Sequence, residues 1–175
     1  RIIEIGAIKI DNNGNIIDRF SEFVNPGMKI SSKITDITSI TNDMVKDADY
    51  IGRVMSRFWD FIRGTTVVFH NAAFDWDRFL LYNFSQIGLN LPSNYPCIDT
   101  LLLDKELFPN EEIHTLDQMC KRLNVVIENH HRAIYDAEMT AKAFIELRKM
   151  SENKWQNLRK TNWNKESQML NIVIK

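Results

Sequence analysis

Ile2 to Ile10 (IIEIGAIKI) is a near-continuous run of apolar and β-branched residues, and it constrains the fold more than any other stretch. A strand of this kind is buried on both faces, so helices must cover both sides of the sheet that contains it. Asn12-Asn13-Gly14-Asn15 follows, and Asn and Gly tolerate the positive φ of a tight turn. Ile16 to Val24 resumes as a second strand-like run, which Pro26-Gly27 ends. The pair reads as an antiparallel hairpin.

Beyond the hairpin the period changes. Ile34, Ile37 and Ile40 suit a short helical turn with an apolar edge. Ile51, Val54, Met55, Phe58 and Ile62 share one face of a helix that Gly64 terminates. Thr65 to His70 is a short buried strand, and a helix from about Phe74 to Ile87 buries Trp76, Phe79, Leu80 and Phe84. Cys97 to Thr100 reads as a strand end leading into a helix through Leu107. Thr115 can cap a helix through Leu123, and Ile134 to Met150 is the last strong helix. A hairpin followed by alternating helices and strands predicts an α/β mixed sheet flanked by helices. The 175 residues suit one domain, over 1–150. Residues 151–175 are polar and basic, with Trp155 and Trp163 interspersed, and read as a linker or the start of a next module.

The 22 Lys and Arg against 23 Asp and Glu leave a net charge of −1, which excludes a strongly basic nucleic-acid coat. It leaves room for a nuclease, whose site must be acidic to hold metal ions. Cys97 and Cys120 form neither a metal-ligand spacing nor a disulfide framework, which suits a reducing cytoplasm. No apolar run is long enough for a membrane span, and no signal peptide is recognisable. Arg1 already adjoins a strand and the last residues read as the beginning of an element, so both ends look cut.

Two segments carry candidate chemistry. In VVFHNAAFDWDRFL, Asp75 follows a buried strand at the opening of a helix. Ligand sites of open α/β sheets gather at such strand ends. An Asp there also serves a helix N-terminus by capping and by its charge, and position alone leaves both roles open. In HHRAIYDAEMT, His131 precedes Asp136 by five residues, and Asp136 opens the last helix. That spacing can set a metal ligand beside a general base, a role His suits because it titrates near working pH. A surface His pair with another helix-opening Asp is the competing reading. Together the two segments match what two-metal phosphodiester hydrolysis asks for, and carboxylates suit Mg²⁺ or Mn²⁺. Two Asp residues are too few for two ions, so further carboxylates are needed.

These residues resemble the DEDDh (DnaQ-like) family of 3′–5′ exonucleases, on an RNase H-like fold. HNAAFD resembles its second motif, and His131 to Asp136 its third. RIIEIGAIKI, the FVNPG turn, ITSITNDMV, CIDT and LDQMCKRLNV sit in family order, so the resemblance runs from Arg1 to about Met150. HHRAIYDAE, with Tyr135, most resembles the exonuclease domain of DNA polymerase III of the PolC type. The resemblance implies that Asp75 and Asp136 bind metal and that His131 deprotonates the attacking water. It places Asn71 and Phe74 near the 3′-terminal nucleotide, with His70 in the same motif and suited also to a buried structural role. It implies two divalent ions (Mg²⁺ or Mn²⁺), a DNA 3′ end as substrate, and the rest of a DNA polymerase III chain as partner. RNA 3′-end trimming by the same motifs and a non-catalytic nucleic-acid-binding module are the alternative functions.

Three departures matter. The family's first motif, an Asp-x-Glu on the first strand, is absent, and Glu4 is not taken as its substitute, since the family has a Glu in this second strand without a ligand role. The sheet then lacks its central first strand, so the chain alone is expected to be unstable, inactive or both, unless the C-terminal NIVIK run pairs with an orphaned edge. Asp75 is separated from Phe79 by one residue more than the family spacing, which rotates the later helix face by about 100° unless absorbed locally, and makes Asp77 a candidate second acid. Ser39 stands where the family commonly has Gly, at a cost if the position requires positive φ. Single-strand stacking on Trp155 and Trp163 is the minor reading of the tail, beside their burial in a following domain.

Overall fold

The structure is a computed structural model, and it describes residues 1–92, 95–126, 132–151 and 170–174. Strand β1 (Glu4–Ile10) and strand β2 (Ile16–Phe23) form the predicted antiparallel hairpin, with Glu4 opposite Phe23. Asp11 accepts from the Asn13 and Asn15 amides across the connection, and Gly14 takes φ 88°. Helices α1 (Ser32–Thr38), α2 (Asn42–Val45) and α3 (Ile51–Ile62) follow, then β3 (Thr66–Phe69). Helix α4 starts with π-helical Ala73–Leu80 and continues as α-helical Leu81–Gln86. Strand β4 (Cys97–Asp99), helices α5 (Thr100–Leu107), α6 (Leu116–Arg122) and α7 (Ala133–Met150), and strand β5 (Leu170–Ile174) complete the order.

The sheet order is β2-β1-β5-β3-β4. Along β1, Ile8 and Ile10 face the layer of α5, α6 and α7, while Ile5 and Ala7 face that of α3 and α4. Val68 against Val67 and Phe69 repeats the alternation in β3. The two-sided burial predicted from the opening run is therefore met by two cores, one around Met119, Phe144 and Leu147, the other around Met55, Phe58 and Phe84. Each such side chain contributes roughly 1.5–3 kcal/mol by burial.

Strand β5 fills the central slot. It runs antiparallel to β1, with Ala7 opposite Val173, and parallel to β3, with Val68 opposite Ile172. The C-terminal run thus pairs with both edges that a missing central strand would leave open. Residues 170–174 belong to the same sheet as the hairpin, although the sequence pattern assigns them to a following segment. Trp155 and Trp163 lie outside the described residues.

Three local features differ from the sequence pattern or resolve it. α2 is a separate one-turn helix capped by Thr41, which accepts from the Met44 amide, and no periodicity marks so short an element. Ile34 and Ile37 of α1 are exposed while Ile40 beyond it is buried, so the apolar edge does not join the main core. Ser39 closes α1 at φ 57°, the left-handed conformation that costs a residue with a Cβ.

Candidate active site

Asp75 and Asp136 come together at one cleft, though they are 61 positions apart in sequence and carried by different helices. Asp75 is the third residue of the π-helical segment and only 5% exposed. It is not an N-cap: that position is Ala72. The π-helical backbone has room for the extra residue that the resemblance implies between Asp75 and Phe79. Leu81 N–H donates to the Trp76 carbonyl, five residues back, so the helix gains a residue without turning its later face out of the core. Trp76, Leu80 and Phe84 remain buried, and Asp77 points to solvent.

The loop before Asp75 is held from β4. Asn71 takes φ 73°, and Asp99 accepts from the Asn71 and Leu101 amides (2.9 Å each) and the Ala72 amide (3.0 Å). The Asn71 and Ala72 amides on this carboxylate fix the turn from β3 into α4, while the Leu101 amide caps α5 on the same group. His70 is half-buried, with Nε2 donating to the His114 carbonyl (3.0 Å) and Nδ1 against the Thr100 hydroxyl (3.1 Å). Burial lowers its pKa from the ordinary imidazole value, which keeps the ring neutral. Both nitrogens are engaged with protein, so His70 orders the loop that presents Asn71 and Phe74.

Asp136 sits in the first turn of α7, and two residues of β1 seat that turn. Glu4, 4% exposed, accepts from Arg132 Nε (3.0 Å) and Nη2 (2.7 Å) and from the Ala133 amide (2.9 Å). Gly6 allows the close approach, because a Cβ there would lie 2.4 Å from the Ala133 carbonyl carbon. Glu4 is thus tied to the start of α7, although it also lines the cleft with Asp75 and Asp136. His131 lies outside the described residues.

The cleft has two branches, and Phe74, Asp75 and Asp136 line both. One branch, about 340 Å³, is walled mainly by apolar side chains, including Ile34, Ile37, Ile40 and Phe79. The exposed edge of α1 therefore faces the site. The other branch, about 640 Å³, is the more polar of the two and includes Asn71, Lys105, Glu112, Thr115 and Asp117 beside Leu101 and Ile113. Among the described residues no group of three or more His, Cys, Asp or Glu is arranged to hold a metal ion. Asp75 and Asp136 offer hard oxygen donors at the junction, which fits a divalent cation but falls short of a full set for two.

Sequence reasoning brought out the two Asp residues, Asn71 and Phe74, but gave no role to Asp99, Arg132 or Lys105. Asp99 carried a signal, since an Asp directly before a helix is a capping residue. The ion pair of Arg132 with Glu4 spans 128 positions and leaves no local trace.

The exonuclease family model RNase_T matches residues 1–144. The DNA polymerase III PolC-type of Bacillus cereus is 41% identical over 148 residues, which is 85% of this chain and 10% of that protein. The corresponding protein of Oceanobacillus iheyensis is 43% identical over 139 residues, 79% of this chain and 10% of that protein. The chain thus spans about a tenth of the length of these relatives. Among solved structures, exonuclease X in complex with 5′ overhanging duplex DNA aligns at TM-score 0.68 and 27% identity, over 95% of this chain and 88% of that one. The nuclease domain of 3′hExo, a DEDDh family member bound to rAMP, aligns at TM-score 0.73 and 20% identity over 85% of this chain and 80% of that one, a likeness of fold. On the strength of the match over residues 1–144, this chain belongs to the RNase_T exonuclease family.

Proposed function

We propose that this chain is the 3′–5′ exonuclease segment of a PolC-type DNA polymerase III, removing nucleotides from a DNA 3′ end as a proofreader in the cytoplasm. The observation that carries the reading is the convergence of Asp75 and Asp136 at the junction of a two-branched cleft, in a chain about 40% identical to those polymerases. The apolar branch, with Phe74, suits the base of the terminal nucleotide, and Asn71 lies at the rim of the polar one. Asp75 and Asp136 would hold Mg²⁺ or Mn²⁺, and such ions, when bound, activate water and stabilise a leaving oxygen. His131 takes the proton of the attacking water in this reading. Asp99 and Glu4 act earlier, by fixing the two helix starts that present the carboxylates.

One observation bears on the isolated chain. The central strand β5 carries Leu170, Asn171, Ile172, Val173 and Ile174, none of them acidic. With no carboxylate from the strand between β1 and β3, the 175-residue chain alone is inactive in this reading, and the activity belongs to a longer polymerase chain. Among the described residues no helix is long and apolar enough to cross a membrane.

The test is Asp136→Asn in the polymerase chain that carries this segment, assayed on DNA and on RNA 3′ ends. Hydrolysis is expected to fall by about a hundredfold or more, the scale of losing one charge-stabilising group, while DNA binding in Ca²⁺ persists. Unchanged turnover would remove Asp136 from the site, and preference for RNA would replace proofreading by RNA trimming.

A further inference from the structure

Resting on the reading of the cleft as an exonuclease site, we propose that Lys105 holds the backbone of the incoming strand, at a phosphodiester beyond the bond to be cut. The polar branch is lined by Asp75, Asp136, Glu112 and Asp117, so a polyanion entering it meets four carboxylates. Lys105 is the one Lys or Arg among the described residues of that lining. Lys46, Lys142 and Lys149 each face a carboxylate within 3.2 Å. Lys105 makes no such pair with a described residue.

The placement of Lys105 is built in. Asp104, its neighbour on α5, is wholly buried and receives His114 Nδ1 at 2.6 Å and Arg122 Nη1 at 2.7 Å. That anchorage fixes the rotation of α5, so Leu101 and Lys105, one turn apart, face the branch together. The His114 carbonyl is also the acceptor for His70, so the wall bearing Lys105 and the loop bearing Asn71 are one hydrogen-bonded unit. The asymmetry of the cleft then orients the strand. Bases prefer the apolar branch of Ile34, Ile37 and Phe79, and the charged backbone leaves through the branch that holds the cation. A lysine acts here as a point charge on phosphate, without reading the base.

The experiment measures binding of a 5′-fluorescein-labelled oligodeoxythymidylate to the 175-residue chain by anisotropy in Ca²⁺, across a salt series. Lys105→Gln is expected to weaken binding roughly two- to fivefold, as for one solvent-accessible charge contact, and to reduce the slope of log K against log salt by about 0.7, one contact's share on a single strand. Lys105→Arg restores the slope, and Lys149→Gln, at the far end of α7, leaves it unchanged. Replacing single phosphates by uncharged methylphosphonates identifies the contact: one interior position, and not the terminal linkage, loses its sensitivity to Lys105→Gln. A Lys105→Gln slope equal to wild type, with binding intact, overturns the role of Lys105 alone. No oligonucleotide binding by the wild-type 175-residue chain overturns this inference, whereas the exonuclease reading stands or falls with Asp136→Asn in the longer polymerase chain.

Discussion

The two carboxylates of the cleft stand on helices built in opposite ways. Asp136 sits on α7, an 18-residue α-helix with a regular buried face through Ala137, Ala141, Phe144 and Leu147. Asp75 sits on an eight-residue π-helical segment, whose wider turn takes up one additional residue. The regular helix is a register device: its many core contacts repeat at fixed angles, so Asp136 is positioned by everything beyond it. The π-helical segment separates the two demands. Its start holds Asp75 against the cleft, its end returns Leu80 to the core, and the α-helical continuation buries Phe84. A site residue can therefore be kept while the chain around it changes length, provided the backbone has one place where the change can be absorbed.

Deleting one residue from each helix breaks this comparison most severely. Removing Glu138 from α7 turns every later side chain by about 100°, taking Phe144 and Leu147 out of the core. Two large apolar side chains lost from a core cost several kcal/mol, enough to abolish a cooperative thermal transition. Removing the exposed Asp77 from the π-helical segment restores ordinary i→i+4 bonding and is expected to leave the melt within a few degrees of wild type. Equal damage from both deletions would show that the π-helical segment is as rigidly specified as α7.

A smaller effect concerns what seats each helix. Glu4→Ala removes the acceptor of Arg132 and of the Ala133 amide, and the loss is expected to destabilise the chain by about 3 kcal/mol in urea unfolding, the scale for breaking a largely buried charge pair. A loss under about 1 kcal/mol would mean that Arg132 simply turns outward to water. The smallest effect lies at α1, which walls the apolar branch. Ser39→Gly relieves the left-handed backbone at φ 57° and is expected to add about 0.5–1 kcal/mol. An unchanged midpoint would show that the relief of strain is offset by the greater freedom of a glycine in the unfolded chain.

Much of the frame was legible because its signals are local. The β1–β2 hairpin follows from an apolar run, an Asn-Gly turn and a second run, and α3 from five apolar residues at helical spacing. The one-residue excess after Asp75 was legible too, but not its form, because spacing shows that a residue must be absorbed and not which hydrogen bonds shift to absorb it. The Ser39 cost was stated as conditional on φ, and only the backbone answered it.

Sequence alone determined the alternation of helices and strands and the place of Asp75 and Asp136 near helix starts, because turn chemistry and periodicity act over a few positions. Tertiary structure alone decided which strand lies between β1 and β3, that Glu4 belongs to Arg132, and that Lys105 shares a branch with Asp75 and Asp136. The physical reason is range. Strand partners and cleft walls are chosen by burying surface and completing hydrogen bonds across more than a hundred positions, as when β5 takes the two open edges of β1 and β3, and no local pattern encodes that choice.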